Sequence, residues 1–576
     1  MKIAVHISHE SAKKIGGIGA VLNGMCTAGA YKKFFDKTVL YAPLFEPGGD
    51  IFSHLGEGAE VLFSSRDAHD AGNYEQLFGE ITRKYHIEIV YGRRKLVSEF
   101  EAERQTSAHL FLVGINTISD VELAKFKYRL WEKFRIQSDI YKGNWDYEQY
   151  LRIAIPFLEI LEGFYGTGAE YYHFAHEYMG IPCALSVLLE GKKHKTIFVA
   201  HEVSTARFLV ESHPGHDISF YNLLQKEPGE KSLEGVFGSH KGNPRNELIK
   251  RAVSFDRIFA VSDLVRNEYL FLVPDTPPEK IRTVYNGLSA KGITIDEKKE
   301  IRQKIQNYLR TLLNFTPDVI LTHVTRLVIS KGIWRDISLL YNLDEIFHSY
   351  NLKGAYILLS TLIATGRPPE DILRMEKDYG WPLLHKEGWP DLVGMETEIY
   401  HYLQLFNSRS KAIRGIFINQ FGFGKRICGQ RVPEDTTFAD LRMASDAEMG
   451  FSIYEPFGIA QLETVPFGGV ALLSSSCGSA FWLENIFRDA EIKPFYVVDF
   501  IESGRGMGYE QLRALTKKQR NTIERETFSS RAKEIFDIIP TTERKREEYL
   551  ANIPDYISPM SWETVVKKYL LANLPT

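Results

Sequence analysis

The sequence predicts an α/β protein with parallel sheets, arranged as two consecutive blocks. Three observations carry this. Short apolar runs alternate with helical patterns along all 576 residues. Several of those runs are apolar throughout, as strands covered on both faces must be. A fresh opening strand, "DVILTHV" (318–324), follows a charged helix, "DEKKEIRQKIQNYLRTLLN" (296–314), and so begins a second block.

The first block reads as strands at "MKIAVHIS" (1–8), "KTVLYAP" (37–43), "IEIVYG" (87–92), "HLFLVGI" (109–115), "TIFVAH" (196–201) and "RIFAVS" (257–262), and "EKIRTVYNGLS" closes it on an Asn-Gly turn. The second continues through "AYILLST" (355–361), "GIFIN" (415–419) and "GVALLS" (469–474). "TTERKREEYL" reads as a solvated helix face. A last helix, "SWETVVKKYLLANL" (561–574), follows the Pro-containing break "NIPDYISPM". The expected domains are 1–314, joined by a returning segment 556–576, and 315–555, with an insert near 362–445.

Composition narrows the function classes. Apolar content of 44% and charged content of 25% describe an ordinary globular chain. A net charge of −4 gives no global basic footprint for nucleic acid. The cysteines (Cys26, Cys183, Cys428, Cys477) form no CxxC pair, so no metal site is expected and the thiols read as buried, in a reducing compartment. The N-terminus lacks a signal-peptide pattern, and no apolar run approaches the ~18–20 residues of a membrane span. The expected address is the cytoplasm, with no membrane partner.

Open α/β sheets bind ligands beyond the carboxyl ends of their strands, so those loops hold the candidates. After the first strand, Lys14 precedes Gly16, Gly17 and Gly19 at a helix start. Glycines let backbone approach a ligand, and free helix-start amides favour anions; the competing reading is a tight turn without a ligand. A dinucleotide fingerprint fails, because Leu22 takes the third glycine position and the second strand ends in "YAP" with no acidic residue. No GxxxxGK[ST] occurs, which excludes a P-loop. His176 and Glu177 in "YYHFAHEYMG", and His201 with Arg207 in "TIFVAHEVSTARFL", stand near other strand ends.

In the second block "THVTRLVISKGI" sets Arg326 and Lys331 around a strand-to-helix turn, a fork of donors and a point charge suited to a diphosphate. "GFSIYEPFGIAQLETVPFGG" (450–469) sets Glu455 and Glu463 eight residues apart. With Pro456 in a first helical turn, both carboxylates fall on one helix, roughly 12 Å apart along its axis at ~1.5 Å per residue. That spacing fits two ends of one ligand with an anion between them. It does not fit a glycosidase pair flanking one bond at about 5–10 Å.

These pieces stand in a familiar order. The chain resembles the retaining nucleotide-sugar glycosyltransferases of GT-B fold, specifically the glycogen and starch synthases. The resemblance rests on "KIGGIGAVL", "HFAHEYMG", "NGL" (286–288), the R-x4-K-G of 326–332, "EPFGIAQLE" and the closing "SWETVVKKYL". "ESAKKIGGI" and "TIFVAHEVSTARFL" are closer to the animal and fungal glycogen synthases. Tyr178 stands where the family has Trp, and 362–445 matches no synthase segment.

The resemblance implies two Rossmann-like domains facing a cleft, with a C-terminal helix crossing back to the N-terminal domain. It implies that Lys14 and the amides of Gly16 and Gly17 approach the donor, that His176 faces the transferred sugar, and that Arg326 and Lys331 hold the diphosphate. Glu455 would meet sugar hydroxyls, the backbone of Phe457, Gly458 and Ile459 would cap sugar and phosphate, and Glu463 would hold the ribose. Arg207 joins the donor contacts; His201 and Asn286 are secondary candidates. The expected activity is glucosyl transfer with retention from ADP- or UDP-glucose to the non-reducing end of an α-1,4-glucan, without metal or cofactor. A transferase acting on a small sugar or sugar phosphate, and a catalytically silent binding member of the fold, are the alternatives. A homo-oligomer is left open.

Overall fold

The computed structural model describes residues 1–12, 16–45, 55–56, 58–101, 103–226, 232–289, 291–386, 388 and 390–576. Lys14 lies outside the described residues. By internal contacts the chain divides into two units, one of Met1–Ala206, Glu227–Ser289 and Ser561–Thr576, the other of Arg207–Lys226 and Ala290–Met560. The division falls after Ser289, not at 314, because the helix Ile295–Leu313 packs into the second unit's core through Ile305, Tyr308 and Leu309.

Among the described residues the first unit carries ten strands: β1 (Lys2–Ile7), β2 (Lys37–Leu44), β3 (Glu60–Ser64), β4 (His69–Asp70), β5 (Ile89–Val97), β6 (Gln105–Gly114), β7 (Glu170–His176), β8 (Lys195–Ala200), β9 (Arg257–Ala260) and β10 (Ile281–Thr283). They form one sheet in the order β10-β9-β8-β7-β1-β2-β6-β5-β3-β4. The sheet is parallel from β10 to β6, as expected, and its far edge is antiparallel: β5 runs antiparallel to β6 and β3, and β3 antiparallel to β4. The reason is local. Val97 and Gln105 bound a short connection closed by the Ser98 amide on the Arg104 carbonyl (3.0 Å), and a parallel crossover needs a dozen or more residues. The other neighbours are parallel, with β1 flanked by β2 and β7. β1 and β7 meet where the strand order reverses, so the loops after Ile7 and His176 border one crevice.

The chain's last segment belongs to this unit. The helix Trp562–Val565, continued by Val566–Leu570, seats the Trp562 indole where a Cβ on Gly24 would lie 1.9 Å from its Nε1, and a Cβ on Gly287 would lie 2.8 Å from Trp562 Cα. Both glycines are places where only the absence of a side chain allows the approach.

The second unit carries β11 (Val319–Val324), β12 (Gly354–Leu359), β13 (Ile413–Ile418), β14 (Ala447–Gly450), β15 (Val470–Ser474) and β16 (Phe495–Val498). All neighbours are parallel, in the order β13-β12-β11-β14-β15-β16. The order reverses between β11 and β14, again a crevice at their carboxyl ends. Residues 362–445 are not an appendage: they supply β13, and Met375 and Trp381 sit in the same core cluster as Ile305 and Tyr308. Within them Arg367 and Glu396 form a fully buried pair at 2.5 Å, and Trp381 Nε1 donates to Asn419 Oδ1 (2.6 Å).

The segment Arg207–Lys226, which ends in the helix His216–Lys226, belongs to the second unit although the segments before and after it belong to the first. Asp217 accepts both ends of the buried Arg335 guanidinium at 2.7 and 2.9 Å, and also the Ser476 hydroxyl (3.0 Å). The run "TTERKREEYL" forms the helix Glu543–Ala551, but it is not solvated throughout: Arg546 is buried against Asp446 at 2.8 Å.

Candidate functional site

In the second unit, β11 ends at Val324, and a single turn, Ile329–Lys331, leads through Gly332 into the helix Ile333–Ser349. Gly332 has φ +60, and a Cβ there would meet the Phe451 carbonyl oxygen at 2.5 Å. The Ser330 carbonyl accepts the amides of Ile453 (2.8 Å) and Tyr454 (3.2 Å). The loops after β11 and β14 are thereby zipped together, which brings Lys331 Nζ into a short ion pair with Glu455 Oε2. Their side chains are 14% and 11% exposed. Gln461 Nε2 supports the same carboxylate oxygen at 3.3 Å. Arg326 is exposed, and no carboxylate pairs with it among the described residues.

Glu455 is held by its backbone as well. Its amide donates to the Ser476 carbonyl (3.3 Å), and its carbonyl accepts from Gly478 (2.8 Å). Phe457 turns its ring into the core near Trp482, and its carbonyl accepts from Ser479 (2.9 Å). Gly458 then adopts φ +92 and starts a single helical turn, Ile459–Leu462. The single long helix expected to carry both glutamates is therefore absent. Pro456 precedes the helix, Glu463 caps its end, and Val465–Phe467 forms a separate turn around Pro466. Pro466, four residues beyond Leu462, lacks the amide a continuing helix would need.

Glu463 is not an open helix-face residue. Its carboxylate meets Arg442, from Nη2 at 2.8 Å and Nε at 3.0 Å, and is 11% exposed. Arg442 is fully buried and also pairs with Glu448 at 2.7 Å. Burial works against the Arg442 charge, but Glu448 and Glu463 override it and raise its pKa. Arg442 and Glu448 were not foreseen. A charged residue inside "FADLRMASDAEMG" was the available signal, since both lie on a short helix and strand with apolar neighbours.

In the first unit, the loop after β1 leads into the helix Gly17–Thr27. Glu10 Oε2 accepts the amides of Gly16 (2.7 Å) and Gly19 (2.8 Å). The amide of Gly16, expected to face a ligand, is thus bound by the chain's own buried carboxylate. A Cβ on Gly17 would meet nothing within 4 Å. At the end of β7, His176 is 1% exposed and both ring nitrogens are engaged, Nε2 with His6 Nδ1 (2.9 Å) and Nδ1 with His201 Nε2 (2.8 Å). The expectation that this ring faces a ligand is corrected: the half-buried His201 stands at the outer end of the series. Burial, reinforced by the neighbouring histidines, pushes the His176 pKa well below the usual value.

Glu177 follows with φ +57, a conformation that a non-glycine residue holds only at a cost. Its buried carboxyl accepts the Glu202 amide at 2.7 Å. Desolvation, with the Glu202 charge nearby, raises its pKa well above the ordinary range. Asn286 is buried and lines a small apolar cavity with His176 and Trp562. Arg207 belongs to the second unit and pairs with Glu211 at 3.0 Å.

No helix among the described residues is long and apolar enough to cross a membrane. No protein-family model and no curated protein sequence matches the chain. Solved structures do match. A structure described as trehalose-6-phosphate from E. coli bound with UDP-2-fluoro glucose matches over 99% of this chain and 98% of its own, at 12% identity and a TM-score of 0.50. A UDP-forming α,α-trehalose-phosphate synthase from Burkholderia xenovorans matches over 99% and 98%, at 13% identity and 0.47. The catalytic domain of starch synthase IV from Arabidopsis thaliana, bound to ADP and acarbose, matches over 96% and 99%, at 13% identity and 0.47. The first of these matches, with the two sheets and the strand orders above, shows the fold: two α/β units of the GT-B type.

Proposed function

We propose that the chain is a retaining glycosyltransferase moving a hexosyl group from a nucleoside-diphosphate sugar to a sugar acceptor. The observation that supports this most is the Lys331–Glu455 pair at the β11/β14 crevice, with exposed Arg326 on the same loop and Arg442-held Glu463 beyond it. Transfer from such a donor needs charge stabilised on the departing diphosphate and on an oxocarbenium-like sugar. Arg326 and Lys331 serve the first need, Glu455 the second, and Glu463 a ribose. A preorganised donor of this kind is worth about 2.7–4 kcal/mol of barrier. Retention proceeds without a protein nucleophile, the leaving phosphate taking the acceptor's proton. Neither metal nor cofactor is invoked.

The finer reading is glucosyl transfer from ADP- or UDP-glucose to the non-reducing end of an α-1,4-glucan. A small sugar phosphate is the second reading, and the likeness to the E. coli structure described as trehalose-6-phosphate bound with UDP-2-fluoro glucose supports it. A screen of ADP-, UDP- and GDP-sugars against glycogen and glucose 6-phosphate, reading released nucleotide and product length, separates them. Transfer to neither acceptor class from any donor sinks the proposal in favour of a silent binding protein.

A further inference from the structure

Lys298 is fully buried, near the start of the helix Ile295–Leu313 in the second unit. Its Nζ donates to three carbonyls: Phe467 at 2.6 Å, Met443 at 2.9 Å and Ser445 at 3.3 Å. An ammonium has three N–H groups, so all of them are used. Met443 lies in the last turn of the helix Phe438–Ala444, and Phe467 ends the turn Val465–Phe467. Carbonyls at such ends lack partners within their own helix and favour a positive charge. One cation therefore closes two ends at once. The same two segments meet again at Glu463. Arg442, the residue before Met443, holds the Glu463 carboxylate at 2.8 and 3.0 Å. Glu463 in turn stands two residues before Val465. Arg442 and Glu463 thus join the segments at one side, and Lys298 joins them at the other.

We infer that Lys298 is a positioning residue for the donor: its charge clasps these segments, keeps the Glu463 carboxylate in place for a ligand's hydroxyls, and so makes donor affinity follow the protonation of Lys298. That the ligand is a nucleotide sugar with its ribose on Glu463 rests on the transferase reading; the clasp does not.

The clasp needs the third proton. A neutral amine offers two N–H groups and a lone pair, which leaves one carbonyl unbonded and facing that lone pair. Burial pulls the Lys298 pKa down to about 7, against the charge of Asp446 and with help from those of Arg302 and Arg546. Asp446 faces it from just before β14, Arg546 from the helix Glu543–Ala551, and Arg302 from one turn on in its own helix. The helix Phe438–Ala444 and the turn Val465–Phe467 face it with carbonyls. Donor affinity is then full below neutral pH and weakens as pH rises through 7.

Two experiments test this. Carbon NMR of protein labelled at the lysine ε-carbon, with Lys298 assigned by its loss in Lys298→Arg, should show that residue titrating near neutral pH. A Lys298 signal that keeps one form between about pH 6 and pH 9 overturns the inference whatever the protein binds. The second experiment is calorimetric binding of UDP-glucose and ADP-glucose, whose diphosphates do not titrate in this range. Wild-type affinity for whichever binds should fall about tenfold from pH 6 to pH 8.5. Lys298→Met keeps the stem without the charge and should bind at both pH values as the wild type does at pH 8.5. Glu463→Gln should lose most of the pH dependence, and it carries the test alone should Lys298→Met fold poorly. Equal wild-type affinity at both pH values, or an undiminished pH dependence in either folded variant, overturns the inference while the transferase reading stands. Binding of neither nucleotide sugar at either pH overturns the donor role together with that reading.

Discussion

At the scale of single residues, Arg326 and Lys331 look alike in sequence and differ in physical situation. Arg326 is solvated, so Arg326→Ala removes a ligand contact and little else. We expect kcat to fall by about 10²–10³ and the melting temperature to stay put. Lys331 neutralises Glu455 in a nearly dry crevice. Lys331→Ala therefore costs activity and also leaves a carboxylate without its cation, a loss of about 1–3 kcal/mol. Activity and thermal melting measured on both variants check the distinction; equal melting shifts would refute it. Glu463→Gln keeps an acceptor for Arg442 and should raise the donor KM with kcat nearly unchanged, because a ribose contact alters little during reaction. Much of this site was legible in the sequence, since Lys331, Glu455 and Glu463 sit at motif spacings. Arg442 was not, because its partners lie 6 and 21 positions away and only the folded loops bring them together. His6 was hidden for a similar reason: its partner is 170 residues distant.

At the scale of elements, the short turn at Gly458 replaces the long helix the pattern suggested. Gly458 has φ +92, and a Cβ there would lie 2.7 Å from Cys477 Sγ, 2.9 Å from Gln461 Oε1 and 3.1 Å from Glu455 Cγ. Gly458→Ala should then cost about 1–3 kcal/mol of stability and weaken donor binding by displacing Glu455. Gly17 is the contrasting case. Its Cβ would meet open space and its backbone is ordinary, so Gly17→Ala should melt like wild type. Any loss of turnover in that variant reports a ligand approaching the loop, and unaltered kinetics would remove Gly17 from the donor contacts. All ten strands named from apolar runs are present, with shifted ends. The strands without such a run are mostly short or at sheet edges, such as β14 with buried Glu448 inside it and β16. A four-residue strand has too little period to announce itself.

At the scale of the whole chain, neither unit is a continuous stretch, and sequence alone does not show why. The second unit takes in 207–226 because Asp217 binds Arg335, 118 residues later. Asp446 makes a comparable hub for segments far apart in sequence. It binds Arg302 at 2.5 Å, Arg546 at 2.8 Å and the Ile320 amide at 2.8 Å, so the helices Ile295–Leu313 and Glu543–Ala551 are pinned to β11 through one carboxylate. Burial alone would raise the Asp446 pKa, but the Arg302 and Arg546 charges override it and hold it at about 2. Because that pKa is depressed on folding, its contribution is complete above the unfolded value of ~3.9 and fades as pH falls toward 2, a loss on the order of 2–3 kcal/mol. Asp446→Asn removes the titrating group and leaves two buried guanidiniums without their anion, so it should cost about 3–5 kcal/mol at neutral pH. Denaturant unfolding between pH 5 and pH 2.5 reads both effects: the wild type should lose stability steeply below pH 4, and Asp446→Asn should start lower and fall less. Parallel pH profiles for the two proteins would show that the hub does not govern the acid limb.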